Sequence, residues 1–599
     1  MAGADVDFQA SDPIFLLEVN WGGEIYRFST RPIEIGGYQF GGGLAEPDLS
    51  YGISTIEDDP QSEALSLELI FPINLIERLM KYGQSLDTAT AELAMVTERG
   101  GVVVQSWETR IRLWSGDCTQ PIIGDPEEDP GWAALSIERD PTLDPRLIVR
   151  PREIITKAFF PNISGSYNSP TLGVPNLDWD FDMEGKSWPI IIGNPGRDIT
   201  TITDNGQIGT KDLFCSPGYL IGPRAGTNNY GLDWIMQVMI AKGEVAAANV
   251  TVLDYTRKSI SKPVLLATLA DGRTYSYIEF QFHSVSGITD AVGTSLDNIS
   301  HPAIRSGLYI NTRWTDGAPK YWIRWDDGGG MPNPFGTGVL EKGGDILRWA
   351  LPQTGLDIDY QSVLAVAPVL NAYKFSGYII DQELDYWTFL TQNIIPFLPI
   401  EIVNGGQGMK AVLPMIFMNR YVRPRGDVVE GHGFFIDSAI ESRGDLDDIT
   451  NSLRVDFSFA PAADQFGGVE YKNQLEIDQD SADFSTGFAA ISEYSALSIS
   501  RHGRREEILT LAFVYDFATA TRIGMDHIRA RALAKYEIEV RTDPEFGYLD
   551  PGDVIAITSE AYFLNGHRFQ IRKKKWDNGS WLFSLLIEEN PIQNDRIES

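Results

Sequence analysis

Three carboxylates alternate in the run Asp178-Trp179-Asp180-Phe181-Asp182. In an extended strand Asp178, Asp180 and Asp182 share one face, an arrangement able to hold calcium. An EF-hand loop needs Gly after its third acid and Glu at its twelfth position, and here those places hold Met183 and Pro189. What is left is a looser metal site, set against the commoner reading of a solvated strand face or a subunit contact. Gly406-Gln407-Gly408-Met409-Lys410-Ala411 matches the spacing of a dinucleotide loop, but that chemistry needs a helix N-terminus to receive the pyrophosphate. The residues that follow, Val412-Leu413-Pro414-Met415, are strand-like and broken by proline, so the run reads as a hairpin turn.

Six histidines, at 283, 301, 432, 502, 527 and 567, are scattered without the paired spacing of a zinc protease. Neither a nucleophile elbow nor a phosphate-binding P-loop occurs. Isolated histidines of this kind are surface or hydrogen-bonding residues. Cys118 and Cys215 are too few and too far apart for a disulfide scaffold or a cysteine-built zinc site. Two basic runs, Arg501-His502-Gly503-Arg504-Arg505 and Arg572-Lys573-Lys574-Lys575, suit DNA or an acidic patch on a partner subunit. Trp322, Trp325 and Trp387 offer sugar platforms if exposed and core anchors if not. No catalytic, cofactor-binding or metal residue is assigned from these motifs, and no cofactor is expected.

The surrounding composition narrows the function. Acidic residues outnumber basic ones 83 to 49 in 599 residues, a net charge of −34. General adhesion to nucleic acid rests on Lys and Arg, so such a chain is not expected to bind DNA through its general surface; it could let DNA pass, and solubility or tolerance of salt accounts for the charge equally well. Inter-subunit pairing is then the better reading of the basic runs. With 43% hydrophobic residues there is ample material for packed cores, and 57 glycines in short turn-like groups favour strands joined by tight turns. No basic-then-apolar leader opens the sequence, and no stretch reaches the length of a membrane span, so neither export nor stable membrane insertion is expected.

The elements that must position these residues are mainly β with α+β parts. Residues 1–150 read as a β-barrel with one helix: a hairpin turning at Gly22-Gly23, an alternating run from Ala64 to Phe71, and a helix from Pro72 to Tyr82. Residues 151–370 read as an irregular β-rich region or insertion, with strands at Pro263–Thr268 and Tyr275–His283. Residues 371–430 form a small α+β unit: a strand from Phe375, a helix marked by Leu384, Trp387, Leu390 and Ile394, and a hairpin from Ile400 to Leu413. Residues 431–599 read as a second β-barrel, with a helix through Ile523, Ile528 and Leu533, a turn at Asp550-Pro551-Gly552-Asp553 and a closing hairpin at Asp577-Asn578-Gly579-Ser580.

The order of these units resembles the hub proteins of long-tailed bacteriophages and related gene transfer agents. The resemblance is carried by Leu16 to Phe40, by Ser187-Trp188-Pro189-Ile190-Ile191-Ile192-Gly193 and by the strand–helix–hairpin from Phe375 to Leu413. It is strongest at Ile528-Arg529-Ala530-Arg531-Ala532-Leu533-Ala534 followed by Leu549-Asp550-Pro551-Gly552-Asp553-Val554-Ile555. It does not extend over residues 195–370. The resemblance implies a non-enzymatic structural protein of the virion: a homotrimer whose two tail-tube-like barrels per chain form a ring that adapts a sixfold tube to a threefold tip. It implies a distal tail protein, a tape-measure protein and tip fibre or receptor-binding proteins as partners, assembly in the host cytoplasm, and a channel for DNA ejection. Charge adds the expectation of an acidic inner wall. The alternative from another class is a carbohydrate-active enzyme or carbohydrate-binding protein of the cell envelope, because paired carboxylates and tryptophans on a β framework also suit sugars.

Overall fold

A computed structural model describes residues 12–52, 64–70, 72–82, 86, 89–119, 122–123, 132–138, 167–169, 174–177, 189–195, 202–204, 207–209, 216–225, 234–253, 259–269, 271–282, 321–325, 328–354, 356, 358–379, 386–405, 408–414, 417, 425–429, 434–436, 441–443, 449–460, 471–478, 480, 486–533, 535–562, 564–577 and 579–588. The protein is β-rich and multidomain, with several separate sheets and few helices.

The first strand explains much of the N-terminal unit. In β1 (Asp12–Trp21) both alternating sets are apolar. Phe15, Leu17, Val19 and Trp21 enter the main core, while Ile14 and Leu16 join a smaller one with Ile35, Phe40 and Val96. Gly22 and Gly23, both at positive φ, make the tight turn into β2 (Glu24–Ser29). The hairpin of β3 (Ile33–Ile35) and β4 (Tyr38–Phe40) supplies the second apolar cover. After β5 (Ser50–Gly52) come β6 (Ala64–Ile70), helix α1 (Ile73–Tyr82), β7 (Thr90–Arg99), β8 (Val102–Val103), β9 (Ile111–Cys118), β10 (Ile122–Ile123) and β11 (Trp132–Glu138). Pairing runs β2–β1–β7–β9–β11–β6. Residues 41–45 then bridge β6 back to β2: Leu44 N donates to Ser29 O (3.0 Å), and Ala45 N to Glu68 O (2.9 Å). The sheet thus curls back on itself.

A hairpin of β12 (Tyr167–Ser169) and β13 (Val174–Leu177), then β14 (Ile190–Ile192), β15 (Ile202–Asp204) and β16 (Gln207–Gly209), lead to the middle unit. There a seven-stranded sheet is built from β17 (Ser216–Ala225), β18 (Trp234–Lys242), β19 (Asn249–Leu253), β20 (Ser259–Pro263), β21 (Leu265–Thr268), β22 (Thr274–Phe282) and β23 (Tyr321–Arg324). Its order is β20-β19-β23-β17-β18-β22-β21, and the two ends of that order, β20 and β21, are consecutive in the chain. One run bent at Pro263-Val264 therefore pairs with β19 through its first half and with β22 through its second, closing a barrel. Proline at the bend costs no ladder bond, because its missing N–H falls where the strand changes partners. Val238, Ile240, Val250, Ile278 and Ile323 are buried in this sheet.

The expected strand–helix–hairpin unit belongs to a larger body. Helices α2 (Gly343–Ala350) and α3 (Tyr360–Leu370), strand β24 (Gly377–Ile379), helix α4 (Tyr386–Asn393) and the hairpin β25 (Glu401–Gly405) with β26 (Gly408–Val412) come first in sequence. They share one apolar core with β30 (Ser452–Ala460), β31 (Tyr471–Ile477), α5 (Thr486–His502), β32 (Glu506–Leu511) and α6 (Phe517–Arg531). Between these groups lie β27 (Gly426–Val429), β28 (Phe434–Ile436) and β29 (Glu441–Arg443), which pair into the C-terminal sheet. The segment at Pro189–Gly193 joins this body to the middle barrel. Lys242 N donates to Pro189 O (2.7 Å), Met331 N to Ile191 O (2.9 Å) and Gly193 N to Leu340 O (2.8 Å), and β14 pairs with β24. Gly193 sits at positive φ, and a Cβ there would meet Phe375 O at 2.5 Å, so only glycine fits the crossing.

The C-terminal sheet is completed by β33 (Lys535–Thr542), β34 (Val554–Ser559), β35 (Leu564–Asp577) and β36 (Ser580–Glu588). It does not stand alone. Strand β5 from the N-terminal unit pairs with Lys573–Lys575 of β35, and residues of both units form one continuous apolar core. Phe15 meets Trp576 edge-on at 5.3 Å, Trp576 Nε1 donates to Glu46 Oε1 (2.6 Å), and Arg99 pairs with Glu545 (2.8 Å).

Candidate functional site: an ionic joint at the Asp550 turn

The turn Asp550-Pro551-Gly552-Asp553 is locked from within. Asp550 N donates to Asp553 Oδ2 (2.8 Å), and Asp553 N donates back to Asp550 O (3.0 Å). Asp and Asn favour turns because a short side-chain acceptor reaches neighbouring backbone donors. Gly552 has φ +87°, and a Cβ there would lie 2.6 Å from Val412 Cγ1 on the hairpin opposite. Glycine is thus required twice, by conformation and by approach. Arg425 donates to both Asp553 oxygens (2.9 and 2.8 Å), and Gln570 Nε2 to Leu413 O (3.0 Å) and Gly552 O (3.2 Å).

Asp550 is then free to face inward, where two lysines share it. Lys410 of β26 pairs with Oδ2 at 2.5 Å, and Lys574 of β35 lies 3.6 Å from Oδ1. Lys574 is fully buried, donates to Gly547 O (2.5 Å) and stands over the Trp581 ring at 4.4 Å. Burial pushes its ammonium down to about 8; Lys410 acts in the same direction, and Asp550 and Asp553 oppose them. Beside this group Arg572 pairs with Glu401 of β25 at 2.6 Å. The joint therefore links the hairpin β25–β26 to the C-terminal sheet through charges, at the point where β5 also joins β35.

A second ionisable pair holds α6. Asp526 accepts from the Tyr373 hydroxyl beside Arg529 and Arg522, and burial lifts its carboxyl to about 6. On the neighbouring side Glu507 accepts from His527 Nε2 (2.9 Å) and Thr450 Oγ1 (2.6 Å). The hydrogen bond to His527 is the largest influence that lowers the Glu507 carboxyl to about 2.

The sequence-derived candidates distribute as follows. Asp178, Asp180 and Asp182 lie outside the described residues, as do His283, His301, His432 and Cys215. The run at Gly406 spans a hairpin: Asn404 pairs with Met409 and Gly405 with Gly408, while Gly406 and Gln407 fall outside the described residues. Cys118 is a buried free thiol, pushed up to about 12 chiefly by burial. Trp325 is buried and donates to Ser216 Oγ (2.7 Å), and Trp387 is buried in the helical core, so neither is a surface platform. In the run 501–505, Arg504 pairs with Asp478 and Glu506. The run 572–575 is divided by strand alternation: Lys573 and Lys575 are exposed, and Lys574 is inside. The sequence reading saw the turn and the basic run separately and missed their meeting. A signal was present, because Lys574 shares a strand face with Trp576.

A family model described as "Putative phage tail protein" matches residues 479–573, which span α5, β32, α6, β33, the Asp550 turn, β34 and much of β35. No curated protein sequence matches the chain. Among solved structures, a chain of "Virion of native gene transfer agent (GTA) particle" is similar at 14% identity and a TM-score of 0.34, covering 68% of this chain and 85% of that one. At that score the likeness decides nothing. The family likeness is thus carried by residues 479–573, the segment that holds the Asp550 turn.

Proposed function

We propose that the protein is a structural, non-enzymatic component of the virion, the hub at the tail tip, acting as a homotrimer. The observation that carries this reading is the union of the N- and C-terminal β-units through one core and the β5–β35 pairing. Each chain thereby offers two β-units side by side, and three chains offer six, the number that a sixfold tube requires below it. Residues 1–150 and, through the C-terminal sheet, 431–599 would supply the ring domains, with the helical-core body, in which 371–430 and the elements β30 to α6 pack together, and the middle region 151–370 projecting from them. The net charge of −34 suits an inner wall past which DNA slides during ejection. A distal tail protein above, tip fibres or receptor-binding proteins below, and a tape-measure protein inside complete the assembly, which forms in the host cytoplasm. Native mass spectrometry of the full chain tests this: a trimer is expected, and a stable monomer at micromolar concentration would overturn it.

A further inference from the structure

The two large apolar cores of the molecule meet along a charged line. On one side stand Asp550, Gln570 and Arg572 of the barrel pair; on the other stand Glu401, Lys410 and Leu413 of the hairpin β25–β26. The apolar hairpin residues Ile402, Met409 and Ala411 turn the other way, into the helical core. The ion pairs and the Gln570 hydrogen bond cross this line, while Val412 rests over Gly552 and the buried Val403 shares the hairpin face of Lys410. Polar interfaces between units of one chain leave relative movement as the default, because water replaces their contacts at little cost, whereas parting an apolar face does not.

We infer that this line is a parting plane: the body built on the helical core separates from the N- and C-terminal barrel pair along the hairpin face, with both cores intact. The arrangement of charges fits a contact made to close and open. Asp550 is held by a lysine from each side, Lys574 from its own sheet and Lys410 from the hairpin, so losing Lys410 does not strand the carboxylate. Asp553 likewise keeps its partner Arg425 on its own side, since Arg425 N also donates to Val554 O (2.8 Å). Across the plane Lys410 parts from Asp550, Gln570 from Leu413 O, and Glu401 from Arg572, and the side chains of both ion pairs are partly hydrated already. The inference does not depend on the hub reading.

Acetylation of lysines in the intact chain, followed by mass spectrometry, tests it. Lys410 and Lys574 report on the plane, and Lys262, 1% exposed in the middle barrel, reports on global unfolding. In Glu401→Arg both Lys410 and Lys574 are expected to react about tenfold faster while Lys262 stays protected, and adding Arg572→Glu should return both to the native rate. Raising salt from about 0.1 M to about 1 M should move the unmodified chain in the same direction. The inference is overturned if neither lysine responds, if Lys410 alone responds (a side chain detaching from a closed plane), or if all three respond together in salt.

Discussion

Asp550 and Lys574 are a pair in which the two partners do not matter equally. Asp550→Ala leaves two lysine ammoniums facing each other, one of them fully buried, and should cost about 3–5 kcal/mol in denaturant unfolding. Lys574→Met leaves Asp550 with Lys410 and keeps the contact with Trp581, so its stability should equal or exceed that of the parent. The pH sign follows from the ammonium held near 8, below its unfolded value. The burial penalty is fully present below pH 8 and disappears by about pH 10.4, so the parent should gain on Lys574→Met as pH rises through that window. Asp526 has the opposite sense. With its carboxyl raised to about 6, its ionisation penalises the fold above that pH, and the penalty vanishes toward about pH 4. Melting curves of the parent and Asp526→Asn should therefore converge as the pH falls from 6 to 4, and a constant gap would contradict the burial of that carboxyl.

Helix α6 shows how an element can be set by its neighbours. Gly524 faces β30 and β31, and a Cβ there would sit 3.0 Å from Val455 Cγ2 and closer still to Ile477. Helix propensity favours Gly524→Ala by about 1 kcal/mol, but both contacts are in the packed core, where overpacking costs about 1–3 kcal/mol. The clash should win, giving a lower unfolding midpoint with unchanged helical circular dichroism. The sequence shows α6 plainly, through Ile523, Ile528 and Leu533, although the helix begins earlier, at Phe517, where the Asp516 side chain accepts from Thr519 N. It conceals α5, because part of the buried stripe is polar: Ser495 donates to Asn451 O (2.5 Å) and Asn451 donates to Ser498 (3.0 Å). Hydrophobic periodicity cannot register a serine that is buried by hydrogen bonding. Helices α2 and α3 are masked in a similar way by Gly344 and by Pro368 inside α3.

For the whole molecule, the union of the chain's two ends is the central fact. Deleting Ser50–Gly52 removes the pairing with Lys573–Lys575 and should loosen the N-terminal unit from the C-terminal one. Hydrogen exchange at the amides of residues 573–575 should then rise, while β30 in the helical core is unaffected. If exchange in β30 rose equally, the chain would unfold as a single unit and the two-core description would fail.

Local order was legible where spacing is itself the signal: the Gly22-Gly23 hairpin, the alternation in β6, the α1 and α4 stripes and the Asp550 turn each follow from neighbouring residues. What sequence could not disclose is which strands close on which. The sequence shows a strand at Pro263–Thr268, and only the partners β19 and β22 reveal a run bent at Pro263-Val264 that closes a barrel. Lys574 looks like part of a solvated basic run, and only β35's place between β5, β34 and β36 makes it a buried charge. Such facts depend on which strands become neighbours in space, up to the pairing of Tyr51 with Lys574, and a linear pattern carries no period for that, so tertiary structure alone decides them.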